Sequence, residues 1–273
     1  MTLAKRSAVY MLLVALLVLF LSPFGWLAIT ALKDAGELRV LPIHWWPHHP
    51  SLGNFQDALT HIPYLAYARN SLTIATIYSV LVTLASAWAG YGFARLEARG
   101  KRIIFGLLMS TMMLPHVITL IPTYLVFAKF NLLNTYMPWV LWGLSGAPYL
   151  IFLFRQFFSN MPKELEEAAI VDGCGHIRIF WRIFLPQSWP VIATSLILSF
   201  SWTWGDYIAP ALLLDSDRTT LAVKLATGYV NEHGAQLSNL VAAGAVMYVV
   251  PVLVLFLIMQ RGFVSGISTS GLK

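Results

Sequence analysis

An all-α membrane protein with six spans is the fold class that the sequence predicts, and three observations carry that prediction. Of the 273 residues, 58% are hydrophobic and 11% charged, against about 25% charged in an ordinary soluble domain. The apolar residues gather into runs close to or beyond the ~20 that a helix needs to cross a bilayer. The connections between those runs alternate between rich and poor in lysine and arginine.

The first run, residues 8–32, follows Lys5 and Arg6. It exceeds the about 7–15 apolar residues of a secretory signal core and ends on no small-residue cleavage site, so a retained first helix is expected. The connection 33–64 has "LPIHWWPHHPSLGNF" at its centre. Its His44, His48 and His49 lack the i,i+4 spacing of a helical zinc motif, and no metal is expected. Trp45 and Trp46 are of the type that collects at the membrane interface, and the prolines predict an extended loop.

The second helix is expected over 66–94 and the third over 103–127. The third holds Pro115 and Pro122, each of which removes a backbone donor and bends a helix. In lipid the freed carbonyls need neighbours or cavity water, so a broken pathway-lining helix and a plain packing kink both remain open. The fourth helix is expected over 136–154, the fifth over 189–212 and the sixth over 240–259, all within one domain, residues 1–273. An even number places both termini on one side. With the amino terminus inside, 12 of the 18 basic residues lie in inner segments, among them Lys5, Arg6, Arg95, Arg99, Lys101 and Arg102. Excess basic residues in short loops mark the cytoplasmic side. Topology thus explains the net charge of +6 without a nucleic-acid partner.

Enzyme chemistry is poorly represented. Cys174 is the one cysteine, which rules out an internal disulfide and a cysteine zinc site. Within the apolar runs, Asp206 and the distant His116 make a poor catalytic pair. No phosphate loop is present, since Gly100-Lys101 is followed by Arg102. The chain is therefore expected to be non-enzymatic and to bind no cofactor of its own. An ion-coupled carrier generally carries several intramembrane carboxylates, and this chain offers one.

Between the fourth and fifth helices lies "MPKELEEAAIVDGCGHIRIFWRIFLP", residues 161–186. Pro162 suits a first helical turn, and Glu164, Glu166 and Glu167 place negative charge at the positive end of a helix dipole. Gly173 and Gly175 predict a stop, after which a second short helix is expected over 176–184. Ala168 and Ala169 would let another protein approach that face closely. A solvated connector is the alternative, although Ile177, Ile179, Phe180 and Trp181 sit poorly in one.

Glu167-Ala168-Ala169, three residues, Gly173, nine residues, then Ile183-Phe184-Leu185-Pro186 resembles the EAA loop of ABC importer permeases. "SLGNFQDAL", "YARNSLTIA", "MMLPHVITLIPTYLVFAKFNLLNTY", "FLFRQFF", "WTWGDYIAPALLL" and "QRGFVSGISTSGLK" extend the likeness over nearly the whole chain. It resembles the maltose-transporter-type second permease of carbohydrate ABC importers. The resemblance implies a type I importer permease in a bacterial inner membrane that pairs with a homologous permease. Further implied partners are two ATPase subunits carrying ATP and Mg, an extracytoplasmic solute-binding protein, and membrane lipid. It also implies that Glu167, Ala168, Ala169, Asp172, Gly173, Ile183, Leu185 and Pro186 belong to an ATPase-coupling loop. Asp172 either contacts the ATPase or caps locally.

For the solute path, "SFSWTWGDYIAPALLL" brings Trp202, Trp204, Asp206 and Tyr207 together. Aromatic faces beside a carboxylate suit a hydroxylated ring, while an interface anchor and a packing or gating element stay open. A carbohydrate is the expected solute, with glycerol-3-phosphate or a polyamine as alternatives. The tail after Arg261 either reaches between the ATPases, as the resemblance implies, or is a disordered end.

Overall fold

The computed structural model describes residues 3–270, with the side chains of residues 3, 4, 116 and 261–270 left aside. Its helices in chain order are α1 (Leu3–Ala31), α2 (Gly53–His61), α3 (Tyr64–Arg95), α4 (Lys101–Ser110), α5 (His116–Lys129), α6 (Met137–Ser145) and α7 (Pro148–Ser159). Then come α8 (Glu164–Val171), α9 (His176–Ile179), α10 (Leu185–Gln187), α11 (Trp189–Trp204), α12 (Ile208–Leu213), α13 (Leu221–Thr227) and α14 (Ser238–Ser270). A π-helical turn, Phe180–Phe184, joins α9 to α10. One isolated bridge, Val230 to Gln236, is the extent of β pairing among the described residues.

Four helical stretches are long and apolar enough to cross a membrane: Lys5–Ala31, Tyr64–Arg95, Met137–Ser159 and Ser238–Gln260. Two bent pairs raise the count to six if each is one span. Apolar side chains cover all sides of α1, and Tyr10, Phe20 and Leu19 stand exposed. A helix with no polar face and no protein cover is stable in lipid and not in water.

The third expected helix is two. Lys101–Met113 and Val117–Lys129 meet at 102°. The break falls at Pro115, which sits extended at the start of α5 (φ −60°, ψ 129°) and holds Leu114 extended before it, as proline's ring demands of its predecessor. Pro122 stays inside α5 without a break, so only one of the two prolines does what the sequence suggested of both. The fourth helix is likewise divided at Gly146, whose φ of +71° favours glycine. There Ser86 Oγ accepts the Ala147 N–H at 3.0 Å. The fifth stops at Trp204 and restarts as α12. The sixth, expected over 240–259, runs from Ser238 to Ser270, so the start of the tail is helical, and residues 271–273 lie outside the described residues.

The chain divides into two compact units, residues 1–67 with 223–250 and residues 68–222 with 251–273. In the first, the loop expected to be extended folds back on buried polar bonds. Asn54 donates to the carbonyls of Ala31 and Lys33, both at 2.8 Å, and accepts from Asn239 at 2.8 Å. The Lys33 ammonium donates to the His44 carbonyl and lies 4.8 Å from the Trp26 ring centre. The Tyr229 hydroxyl donates to Ala58 at 2.8 Å, and that of Tyr64 to Gly244 at 3.0 Å. The short α2 and α13 escaped the sequence because each, at nine and seven residues, is far shorter than a membrane span.

In the second unit, small residues bring helices together, as they do where lipid supplies no hydrophobic drive between helices. Gly90 and Gly143 of α3 and α6 lie where a Cβ would meet Phe154 Cβ at 2.6 Å and Leu81 Cβ at 2.8 Å. Thr83 and Ser195 hydroxyls share a bond of 2.8 Å between α3 and α11. This unit contains both candidate sites.

Candidate functional site

The loop 161–186 is a bent helical pair. α8 starts at Glu164, with Pro162 just before the helix, and its first turn carries Glu164, Glu166 and Glu167. It ends on a Schellman arrangement. Gly173 adopts φ +77°, the Gly173 N–H donates to the Ile170 carbonyl and the Cys174 N–H to the Ala169 carbonyl, both at 2.9 Å. The left-handed residue satisfies carbonyls that a helix end otherwise leaves open.

The second arm was expected to stop at Phe184. It continues through the π-helical turn to Gln187 and then turns by 79° into α11. Phe180 and Phe184, four residues apart, lie on the same face of this arm, and both are buried. They join Phe154, Phe158, Tyr91 and Ala169 in a buried cluster. The Tyr91 and Phe184 rings lie 5.1 Å apart and those of Phe158 and Phe184 5.6 Å. Burying each phenylalanine away from water contributes about 1.5–3 kcal/mol. The loop is therefore anchored to the ends of α3 and α7.

Anchoring sorts the residues singled out from sequence. Glu167, Ala168, Asp172 and Pro186 are exposed. Ala169, expected on the open face, is 6% exposed and packs inward. Ile183 and Leu185 are partly buried against the same cluster, as is Cys174. The open face instead carries Val171, 87% exposed, with Ile170 and Ile177. Sequence reasoning singled out Ile177 but passed over Ile170 and Val171, because an apolar residue in a mixed segment reads as core until the helix phase is known.

Glu166 occupies the junction. Its Oε2 lies 3.8 Å from an Arg95 nitrogen and its Oε1 3.7 Å from His176 Nδ1.

The second site is a cavity of about 600 Å3 lined by Tyr78, Val117, Leu120, Trp139, Trp142, Ser145, Gly146, Ala147, Pro148, Trp202, Thr203, Asp206, Ile208 and Ala209. It sits where α5, α6 and α11 are each interrupted, so breaks in helices and not their faces make the space. Asp206 Oδ1 accepts from the N–H groups of Ile208 at 3.0 Å and Ala209 at 3.3 Å, which starts α12 as an N-cap does.

Of the four residues expected here, Trp202 and Asp206 line the cavity. Trp204 is 2% exposed and stacks on Phe200 at 5.7 Å. Tyr207 sits at the start of α12, 43% exposed. The structure adds Trp139 and Trp142, whose i,i+3 spacing on an apolar run was the available signal, and Tyr78 from α3. The side chain of His116 lies outside the described residues. Among the described lining residues the one charge is that of Asp206.

Residues 82–267 match the family described as "binding-protein-dependent transport system inner membrane component". The chain belongs to that family. The match takes in the loop and all of the cavity lining except Tyr78, so both belong to a transport permease subunit. Among its relatives, the arabinooligosaccharides transport system permease protein AraQ of Halalkalibacterium halodurans is 35% identical over 232 residues, 83% of this chain and 81% of the relative. The melibiose/raffinose/stachyose import permease protein MelC of Bacillus subtilis is 33% identical over 254 residues, 92% of this chain and 91% of the relative. A solved chain from a bacterial ABC transporter involved in the import of the acidic polysaccharide alginate superposes with a TM-score of 0.81. It is 19% identical, and the match covers 96% of this permease and 98% of that chain. At that identity the likeness shows the fold, that of an ABC importer permease.

Proposed function

We propose that this permease is a transmembrane subunit of an ATP-driven, binding-protein-dependent ABC importer for a carbohydrate, working in a bacterial inner membrane. It forms half of a translocation path with a homologous permease, spans the bilayer six times as one permease domain, and has both termini in the cytoplasm. Two ATPase subunits carrying ATP and Mg seat on the loop 161–186, and an extracytoplasmic binding protein delivers solute. This chain itself binds no cofactor.

The observation that carries the reading is the construction of the loop. A two-armed helical element is anchored by Phe180 and Phe184 and shows Glu167, Ala168, Val171 and Asp172 outward. A connector needs neither a Schellman stop nor an aromatic root. Ala169, Ile183 and Leu185 serve as the root, Gly173 as the turn, and Pro186 lies near the exit of the second arm.

The cavity supports the carbohydrate. Indole faces at Trp139, Trp142 and Trp202 suit stacking on the apolar face of a sugar ring, and Asp206 supplies an acceptor for hydroxyls. A phosphate would face that carboxylate with no described lining cation, which disfavours glycerol-3-phosphate. Trp204 and Tyr207 act on the path through the helices that hold Trp202 and Asp206.

The test is reconstitution in vesicles. The chain alone is expected to hydrolyse no ATP, and the assembly with its second permease and ATPases to hydrolyse it faster when binding protein and neutral oligosaccharide are present. Hydrolysis by the isolated chain, or uptake of glycerol-3-phosphate with no sugar transported, overturns the reading.

A further inference from the structure

The last residue of α3 is a buried arginine. The Arg95 side chain is 6% exposed, and one of its terminal nitrogens donates to the Phe158 carbonyl at 2.7 Å and to the Met161 carbonyl. Those carbonyls belong to the C-terminal end of α7 and the turn after it, where the negative end of the helix dipole favours a cation. The other terminal nitrogen faces Glu166 of α8 at 3.8 Å, and the guanidinium lies 5.0 Å from the ring centre of Phe184 in the π turn. One planar group therefore touches the end of α7, the first arm of the loop and the root of the second arm, from a position fixed on α3.

The Arg95 Nε is buried without a hydrogen-bond partner among the described residues. The aromatic cluster already roots the loop, so the guanidinium is not needed merely to hold it down. What the aromatic contacts lack is direction, since ring packing tolerates sliding, whereas Arg95 adds charge-assisted bonds to the end of α7 and an ion pair to Glu166 on the loop.

We propose that Arg95 is a positioning residue for energy coupling, an electrostatic tie through which displacement of α8 reaches α3 and α7 together. The proposal rests on the reading of loop 161–186 as the seat of the ATPase. Glu166 is the loop-side partner of the tie, and His176 Nδ1 lies 3.7 Å from the other oxygen of that carboxylate.

The experiment uses the whole assembly in vesicles, with Arg95→Lys, Arg95→Gln and Glu166→Gln, each in a Cys174→Ser background carrying Val171→Cys. Three quantities are read: crosslinking of position 171 to cysteines around the ATPase cleft, ATP hydrolysis, and solute taken up per ATP. All three variants are expected to keep the crosslink and hydrolysis within about twofold of the parent, while uptake per ATP falls about tenfold for Arg95 variants, in the range of coupling between sites. Glu166→Gln, which keeps shape and removes charge, should fall by less, and it carries the test if the Arg95 variants fail to accumulate. Unchanged uptake per ATP with the crosslink intact overturns the tie and leaves the seat standing. Loss of crosslink, hydrolysis and uptake in step shows a folding role only, which also overturns it. A parent assembly with no crosslink fails the seat itself, and the tie with it.

Discussion

Gly90 and Gly92 lie two residues apart on the same helix, yet replacing each by alanine should have opposite effects. A Cβ at Gly90 would stand 2.6 Å from Phe154 Cβ, 3.0 Å from the Arg155 nitrogen and 3.1 Å from the Ile151 carbonyl oxygen. Carbon atoms sit best at about 3.5–4.0 Å, so α3 and α7 must part by roughly an ångström, and two of the three obstacles are backbone that cannot swing aside. Overpacking of this kind costs about 1–3 kcal/mol, with backbone obstruction placing Gly90→Ala at the upper end. Alanine's better helix propensity returns about 1 kcal/mol, which leaves a net loss of about 2 kcal/mol. At Gly92 nothing lies within 4 Å of a Cβ, so only the propensity gain remains.

The assay is the thermal midpoint of the purified chain in detergent, followed by tryptophan fluorescence. At about 2–4 °C per kcal/mol for a chain of this size, Gly90→Ala should lower the midpoint by roughly 4–8 °C. Gly92→Ala should leave it unchanged or slightly raised. Equal midpoints for the two variants would refute the claim that close α3–α7 approach, and not glycine's flexibility, is what Gly90 provides.

Gly173→Ala meets no atom within 4 Å but must hold φ +77°, so it should cost about 1–2 kcal/mol of backbone strain and appear as faster proteolysis of the loop, with the spans unaffected. Asp206→Ala removes the acceptor for the Ile208 and Ala209 N–H groups and should cost about 0.5–2 kcal/mol of α12 stability. Asp206→Asn keeps that oxygen, so solute uptake should separate the charge from the cap. Burial pushes the Tyr229 phenol from 10.0 up to about 12. Its contribution to stability is thus fully present below pH 10 and is lost as pH rises through 12. Tyr229→Phe should therefore lose less helical circular dichroism across that interval than the parent chain does.

Much of this was legible in the sequence because lipid imposes a simple rule, that apolar runs of sufficient length become helices. Both the start of α8 and its stop at Gly173 could be placed from glutamates and glycines alone, since cap chemistry is local. The break at Pro115 was legible as a bend and illegible as 102°, because proline fixes its own φ and its neighbour's region but tertiary packing sets the angle. Pro122 shows the same limit from the other side. Helix phase hid the rest. Nothing local distinguishes Ala168 from Ala169, yet one is exposed and the other is buried in the cluster that includes Phe158 and Phe180. The i,i+4 spacing of Phe180 and Phe184 places both on one face, but the π turn itself follows from no residue in "FWRIF". The cavity was half legible, since Trp202 and Asp206 share one segment while Tyr78, Trp139 and Trp142 arrive from segments far apart in sequence.

The central claim is that loop 161–186 is the joint between this permease and an ATPase. Cys174, the natural probe from sequence, is partly buried against the aromatic root, whereas Val171 is 87% exposed. The direct measurement is therefore crosslinking from Val171→Cys, in a Cys174→Ser chain, to single cysteines placed around the docking cleft of the ATPase, with and without ATP. The account predicts a crosslink whose yield changes with nucleotide. No crosslink at any cleft position, with both proteins folded and present in the membrane, would contradict it and return the loop to a connector.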